Sequence, residues 1–219
     1  MRLAAVIFDF DGTIADSHRA ISVCANLVLE EFGCEPVEDA RVHDLVGLPL
    51  PAVLAALAPS LDEPRRAEAV ARYRAIYAEV ARPLTRLFPG MGELLSELHA
   101  RDVRLAIATG KSTTGAHRAI ADLDLDPALF AGVVGCDGVP RSKPHPDMVV
   151  FLLTRLQIDP DATVVVGDST YDVEMAVAAG VAAGGVTWGS HREDALRRAG
   201  AAWIAETPAA LRTHLLDDP

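Results

Sequence analysis

Short, continuous apolar runs alternate with segments of helical periodicity, and this alternation constrains the fold more than any other feature of the sequence. Continuous apolar runs are typical of strands that are buried on both faces of a parallel sheet. The candidate strands are residues 3–8, 103–108, 132–134, 163–166 and 183–186. Because helical patterns lie between most of these runs, the sequence predicts an α/β fold with a doubly wound parallel sheet.

One long stretch breaks the alternation. From about residue 17 to residue 82, apolar residues recur only at helical spacing, as in 21–32 and 70–80. Pro49 and Pro51 suit the first turn of a short helix that continues through Leu57. We therefore expect an all-helical insert at residues 16–82, within an α/β core formed by residues 1–15 and 83–219.

Polar residues follow three of the candidate strands directly. In an open parallel sheet the carboxyl ends of the strands lie at one edge, where ligands bind. We therefore expect these side chains to converge on one crevice, although they are distant in sequence. They are Asp9 and Asp11 after the first strand, Thr109 and Gly110 after the second, and Asp168 and Asp172 after the fourth.

Asp9 and Asp11 stand two residues apart on an extended segment, a spacing that points both carboxylates to the same side. Two close carboxylates repel each other unless a cation lies between them. With Asp168 and Asp172 at the same edge, the all-oxygen donor set favours Mg²⁺. Taken alone, Asp11-Gly12-Thr13 could be merely a turn and Asp9 a cap at the start of a helix.

A positive charge for an anionic ligand could come from Lys143. Lys143 precedes a proline, which favours an extended conformation just before a helix, so its ammonium could reach Asp9 and phosphate oxygens. Without the other residues, a surface lysine would be the simpler interpretation. Thr109 and the Gly110 amide, ahead of a helix that opens at Ser112, could donate to an anion. A P-loop is excluded because Leu105 stands where that motif needs a glycine.

Taken together, the motifs at residues 6–13, 109, 143–144 and 167–172 resemble the four ordered motifs of the haloacid dehalogenase-like hydrolase superfamily. The resemblance covers essentially the whole chain and implies a Rossmann-like core with a small helical cap. Residues 46–50, 108–112 and 143–147 resemble phosphoglycolate phosphatases and their pyrophosphatase relatives more specifically.

The resemblance implies a role for each motif residue. Asp9 would be the nucleophile that forms an aspartyl-phosphate, and Asp11 the general acid and base. Mg²⁺ would be bound by the Asp9 carboxylate, the Asp11 backbone carbonyl and Asp168. Asp172 would support the metal, and Lys143, Thr109 and Gly110 would bind the phosphoryl group. Gly47 would lie at the tip of a specificity loop, or it is simply a turn residue.

Other reactions of the superfamily can be weighed on the residues. Its dehalogenases and phosphonate hydrolases lack the second aspartate, whereas Asp11 is present, and no lysine for a Schiff base occurs between residues 17 and 82. A β-phosphoglucomutase-like mutase shares all four motifs and stays open. A catalytically silent binding module would have lost one of the motif residues, and none is lost. The Ala-, Leu-, Val- and Arg-rich cap favours a small anionic substrate.

The net charge of −11 argues against nucleic acid and anionic membrane as partners. The resemblance implies a small-molecule phosphate ester as the partner. No apolar run approaches the roughly 20 residues of a membrane-spanning helix, and no secretory apolar segment precedes Asp9. The three cysteines lack a CxxC spacing, so a reducing compartment is expected. We therefore expect a cytoplasmic protein, either a monomer or a homodimer.

Overall fold

A computed structural model describes residues 3–217, and a parallel sheet of six strands forms the centre of this part of the chain. Residues 1, 2, 218 and 219, assigned above to the α/β core, lie outside the described residues. In chain order, the strands are β1 (Ala5–Phe8), β2 (Ala15–Asp16), β3 (Arg86–Leu87), β4 (Arg104–Ala108), β5 (Phe130–Val134), β6 (Thr163–Gly167), β7 (Ala182–Val186) and β8 (Trp203–Ala205).

Helices surround the sheet and fill the long interval between β2 and β3. Four of them lie in that interval: α1 (His18–Glu31), α2 (Asp39–His43), α3 (Leu50–Leu57) and α4 (Glu63–Val80). The others are α5 (Met91–Ala100), α6 (Thr113–Asp122), α7 (Asp147–Leu156), α8 (Thr170–Ala178), α9 (Glu193–Ala199) and α10 (Pro208–Leu216). Short 3₁₀ turns occupy Arg82–Leu84, Pro127–Leu129 and Pro160–Ala162.

The order of the strands places a crevice at the end of β1. The sheet runs β5-β4-β1-β6-β7-β8, and every neighbouring pair is parallel. Numbered by its own strands, the order is 3-2-1-4-5-6, which reverses direction at the first strand. Ligands bind beyond the carboxyl ends of the strands at such a reversal. The prediction of a doubly wound, Rossmann-like parallel sheet is confirmed.

The two faces of the sheet explain why the central strands read as continuous apolar runs. Val6 and Phe8 of β1 pack into a cluster that includes residues of α5 and α10. Ala5 and Ile7, which point the other way, pack with residues of α7 and α8. Side chains alternate along a strand, so a strand covered on both faces must be apolar throughout.

Residues 18–80, all of which the structure describes, form a helical segment with an apolar cluster of its own. Buried residues of α1, α3 and α4 pack together in this cluster, among them Leu29, Leu54 and Ala69. The chain leaves the core along β2 and returns along β3, and these two-residue strands pair antiparallel. An exposed ion pair joins the strands, with Arg86 Nη2 3.0 Å from Asp16 Oδ2.

The sequence did not indicate β2, β3 or β8. β2 and β3 have only two residues each, so they carry no periodic signal, and β8 is a short edge strand that is only half-buried at Trp203 and Ile204. The other five strands lie where they were expected, with ends that differ by one or two residues. Within residues 3–217, no helix has both the length and the apolar character needed to cross a membrane.

Candidate active site

Lys143 lies at the centre of a buried group of charges at the carboxyl edge of the sheet. Its ammonium group donates to Asp9 Oδ1 and, at 2.5 Å, to Asp172 Oδ1. All three residues are at most 3% exposed. Burial by itself lowers the pKa of Lys143, but the charges of Asp172 and Asp9 outweigh it and raise the pKa above its ordinary value. Lys143 is therefore a permanent cation between two carboxylates.

Asp9 follows β1 and has one carboxylate oxygen without a hydrogen-bond partner among residues 3–217. Its backbone N–H donates to the carbonyl of Val166 at 2.8 Å, which fixes the residue at the end of β6. Oδ1 accepts from Lys143, whereas Oδ2 is buried and unpaired. Burial raises the pKa of Asp9 well above its ordinary value, and Lys143 opposes that shift only in part. Asp9 Oδ2 is thus an open acceptor position in a buried site.

Asp168, at the end of β6, has partners for both of its oxygens. Thr13 Oγ1 donates to Oδ1 at 3.0 Å, and the Ser190 N–H donates to Oδ2 at 2.6 Å. Burial first, and the nearby charge of Asp172 second, raise the pKa of Asp168 to about 6. Gly12 must lack a side chain here, because it has φ +82° and a Cβ would lie 2.3 Å from Asp168 Oδ2.

Asp172 is the third residue of α8 and closes a capping box with Ser169. Its Oδ2 accepts from the N–H and the hydroxyl of Ser169, at 3.1 and 2.6 Å, while Oδ1 accepts from Lys143. Both oxygens are therefore engaged within the protein. This geometry orients Lys143 toward Asp9. The metal support that the resemblance implied for Asp172 stays a prediction.

Asp9, Asp168 and Asp172 meet the requirements of a site for a divalent cation. Each offers one carboxylate oxygen, and these oxygens lie within 4.8 Å of one another. All three residues are buried, and Lys143 balances only part of their negative charge. Clustered, buried oxygen donors of this kind fit Mg²⁺. Such an ion would bind to the unpaired Oδ2 of Asp9.

Asp11 points away from this cluster and pairs with a second lysine. Ser17 Oγ donates to Asp11 Oδ1 at 2.6 Å, and Lys111 Nζ lies 3.0 Å from Oδ2. Lys111 also donates to the Tyr77 hydroxyl of α4 at 3.1 Å. The chain contains two lysines, Lys111 and Lys143, and each is paired with an aspartate of the first motif.

Sequence reasoning assigned no role to Lys111, Ser17 or Thr13. A signal was present for Lys111, which follows Thr109 and Gly110 directly. Its partner in the helical segment, Tyr77, stands 34 residues earlier and becomes a neighbour only in the folded chain. Thr13 is the last residue of the first motif and Ser17 lies shortly after it, so their position after β1 was the only available clue.

Thr109 and Gly110 lie at the end of β4, in contact with the helical segment. The Thr109 N–H donates to the Val134 carbonyl at 3.1 Å, and its hydroxyl accepts from the Lys111 N–H at 3.2 Å. A Cβ on Gly110 would lie 2.6 Å from the carbonyl oxygen of Leu48 and 2.7 Å from that of Gly47. The absence of a side chain at residue 110 lets the segment approach the core this closely.

Gly47 is a turn residue that also contacts the core. It has φ +101°, and a Cβ would lie 2.9 Å from Ser169 Oγ and 3.3 Å from Tyr171. Two further contacts fix the same region, since Tyr171 Oη donates to the Asp44 carbonyl and His191 Nε2 approaches that oxygen, both at 3.3 Å. Gly47 therefore combines the two alternatives considered from sequence, a turn and a loop tip at the site.

A cavity of about 280 Å³ lies between the helical segment and the carboxyl edge of the sheet. Five of the predicted site residues border it: Asp9, Asp11, Gly47, Thr109 and Gly110. The other three, Lys143, Asp168 and Asp172, do not line the cavity but lie buried around Asp9. The structure thus brings all eight residues to one edge of the sheet.

Comparison with known proteins identifies this arrangement. The family model described as haloacid dehalogenase-like hydrolase matches residues 6–186. The chain belongs to this family. It is 37% identical over 206 residues to the "Probable phosphatase IndB" of Dickeya dadantii, covering 92% of this chain and 89% of that protein.

Two further members of the family support the same conclusion. A phosphoglycolate phosphatase of Vibrio vulnificus is 29% identical over 218 residues, which cover 94% of this chain and 93% of that protein. The solved structure of a haloacid dehalogenase-like family hydrolase from Streptococcus pneumoniae superposes with a TM-score of 0.84 at 27% identity, covering 97% and 98% of the two chains. The expected resemblance to this superfamily is confirmed, and its phosphatases support a phosphatase here.

Proposed function

We propose that the chain hydrolyses small-molecule phosphate monoesters with Mg²⁺, through a phosphoryl group carried on Asp9. The observation that carries this proposal is the buried group formed by Asp9, Lys143, Asp168 and Asp172, with an unpaired oxygen on Asp9. A nucleophile beside a fixed cation and an incomplete set of metal ligands is suited to phosphoryl transfer, which depends mainly on positioning and charge neutralisation.

Mg²⁺ would be held by the carboxylates of Asp9 and Asp168 and by the backbone carbonyl of Asp11. It would supply neutralisation of charge on the phosphoryl oxygens. Asp172, with both oxygens engaged, would act mainly by holding Lys143 in position.

In the first step, the Asp9 carboxylate attacks phosphorus and the bond from phosphorus to the ester oxygen breaks. Asp11 gives its proton to the departing oxygen, so that a neutral alcohol leaves. Lys143, Thr109 and the Gly110 N–H stabilise the negative charge on the transferred phosphoryl group. Asp9 then carries an acyl phosphate.

In the second step, Asp11 removes a proton from water and the water oxygen attacks phosphorus. The bond from phosphorus to Asp9 breaks, which releases phosphate and restores the carboxylate. Contacts from Ser17 and Lys111 hold the Asp11 side chain in place for this step. The helical segment would act as a cap that excludes bulk water, since Gly47 packs against Ser169 beside the site.

A phosphate-release assay tests the proposal directly. A panel of phosphate esters is incubated with Mg²⁺, and in parallel with EDTA, using the unaltered chain and the Asp9→Asn and Asp11→Asn variants. We expect release only with Mg²⁺ and only with both aspartates present. Release by Asp9→Asn, or undiminished release in EDTA, would contradict the mechanism.

The same assay separates hydrolysis from phosphoryl migration. A mutase would convert glucose 1-phosphate to glucose 6-phosphate without releasing phosphate, whereas we expect release without isomerisation. Gel filtration with light scattering distinguishes a monomer from a homodimer. We also propose a cytoplasmic location, which the three free cysteines Cys24, Cys34 and Cys136 support.

A further inference from the structure

The walls of the active-site cavity are mostly apolar on the side of the helical segment. Away from Asp9 and Asp11, the space of about 280 Å³ is bounded by aliphatic and tyrosine side chains that the four helices and the loop after α2 supply. They include Ile21, Val42, Leu50, Val53, Tyr73 and Tyr77. The two tyrosine rings are stacked, with centroids 5.8 Å apart. A bound leaving group would therefore contact hydrocarbon and ring surfaces.

Few positive charges reach this cavity. The cations among its lining residues are Lys111, Arg74 and Arg118. Lys111 is already paired with Asp11, and both arginines are exposed to solvent. Among the described residues that line the cavity, no buried cation is thus left for a second anionic group on the substrate.

Apart from Arg74, the arginines of α4 add no positive charge to the cavity, although the arginine-rich composition favoured a small anionic substrate at the level of sequence. Arg65 and Arg66 donate to backbone carbonyls of the helical segment, at 3.1 and 2.7 Å. Arg72 forms a two-point ion pair with Glu31 at 2.6 Å. These three side chains stabilise the segment from outside, and none of them lines the cavity.

We propose that the substrate is the phosphate monoester of an uncharged alcohol with a largely apolar body, such as a single ring or a branched alkyl group. This inference rests on the proposed phosphatase function. A carboxylate on the leaving group would lose its hydration against Val53 and the Tyr73 ring without gaining a buried cation as a partner, which is costly. An apolar body gains from the same burial. Because a cavity of about 150 Å³ holds benzene, the space here accommodates a ring together with the phosphoryl group.

A comparison of three esters tests the inference. Benzyl phosphate, ethyl phosphate and 2-phosphoglycolate are assayed for kcat/KM with saturating Mg²⁺. We expect benzyl phosphate to exceed both others by about tenfold or more, the range typical of added apolar contact in a pocket. A kcat/KM for 2-phosphoglycolate that equals or exceeds that of benzyl phosphate would overturn the inference and leave the phosphatase function intact. Release no faster than that of Asp9→Asn from all three esters would refute the phosphatase function itself.

Substitutions in the cavity wall test whether the preference for benzyl phosphate arises in the cavity. Val53→Thr places a hydroxyl on the wall with little change of shape, so the ratio of kcat/KM for benzyl over ethyl phosphate should fall several-fold. Leu27→Thr, on the exposed side of α1, is the matched control and should leave the ratio unchanged. The ratio does not depend on the fraction of enzyme that folds. An unchanged ratio in Val53→Thr would overturn the inference.

A charge added to the wall should move the preference in the opposite direction. Leu50 is only partly buried, so Leu50→Arg can place a cation at the cavity without burying it fully. We expect this variant to lower kcat/KM for benzyl phosphate and to raise it for 2-phosphoglycolate. If 2-phosphoglycolate turnover is instead fast in the unaltered chain and is lost in Arg74→Gln, the exposed arginine binds the carboxylate and the inference is wrong.

Discussion

Replacement of Lys143 by methionine should destabilise the protein in a way that depends on pH. Lys143 is the cation between Asp9 and Asp172, and all three are at most 3% exposed. Removing one partner of a buried charge group typically costs about 3–5 kcal/mol, because the remaining charges stay buried without compensation. For a chain of this size each kcal/mol corresponds to about 2–4 °C in melting temperature, so we expect a loss of about 6–20 °C.

The pH dependence follows from the carboxylates that remain. Burial already raises the pKa of Asp9, and Lys143 is the group that opposes the shift. Without the lysine, Asp9 binds a proton more readily in the folded than in the unfolded state. A raised pKa of this kind stabilises the fold at low pH, and the contribution is lost as the pH rises through the folded-state value. The deficit should therefore be large near pH 8 and smaller near pH 5.

Differential scanning fluorimetry in EDTA measures both effects, with far-ultraviolet circular dichroism to confirm folding. Arg198→Met is the control, because its ion pair with Asp194 is exposed and should contribute little, within about 2 °C. A deficit for Lys143→Met below about 2 °C near pH 8, or an equal deficit at both pH values, would refute the charge assignment of the site. Loss of phosphate release by Lys143→Met would not by itself test the charge assignment, because a variant that fails to fold also loses activity.

Four further predictions concern neighbouring parts of the site. Gly12→Ala should weaken Mg²⁺ binding, measured by calorimetry, because a Cβ would lie 2.3 Å from Asp168 Oδ2 on a backbone with φ +82°. Tyr77→Phe removes the hydroxyl that binds Lys111 and should lower kcat several-fold, and loss of this hydrogen bond to a charged group should cost about 1.5–3 kcal/mol of stability. Because the pKa of Asp168 is about 6, its proton competes with the metal, so the Kd for Mg²⁺ should rise about tenfold per pH unit below that value. In EDTA, by the same linkage, the melting temperature should fall as the pH rises through about 6.

Most of the fold could be predicted because the core strands are buried on both faces. Such strands, like β1 and β6, must be apolar along their whole length, and that requirement is visible in the sequence. β8 lacks this constraint, since it pairs only with β7 and is half-buried at Trp203. β2 and β3 are defined by their pairing with each other, which no local pattern of two residues can encode.

The site was predictable to the extent that strand ends determine it. Asp9, Thr109 and Asp168 follow directly from their strands, so the topology alone brings them to one edge. The contact of Lys111 with Tyr77 was not predictable, because it depends on where α4 lies in the folded chain. The pairing of Lys111 with Asp11 was missed, although Lys111 follows Thr109 and Gly110 at the end of a strand. The character of the cavity was also missed, since composition counts the arginines of α4 but does not say which face of the helix they occupy.

The two lysines connect the helical segment to the two aspartates of the first motif. Gly47 packs against Ser169, whose hydroxyl binds Asp172, and Asp172 in turn holds Lys143 against the proposed nucleophile, Asp9.

On the other side of the cavity, Tyr77 of α4 binds Lys111, which pairs with the proposed acid and base, Asp11. Withdrawal of the segment would therefore remove a contact from each of these two chains of interactions. Because both chains end on residues that must be correctly placed for phosphoryl transfer, the position of the segment and the geometry of catalysis are expected to change together. A substrate that fills the apolar cavity would contact both the segment and the core, and would thereby favour the arrangement in which Asp9 and Asp11 keep these contacts.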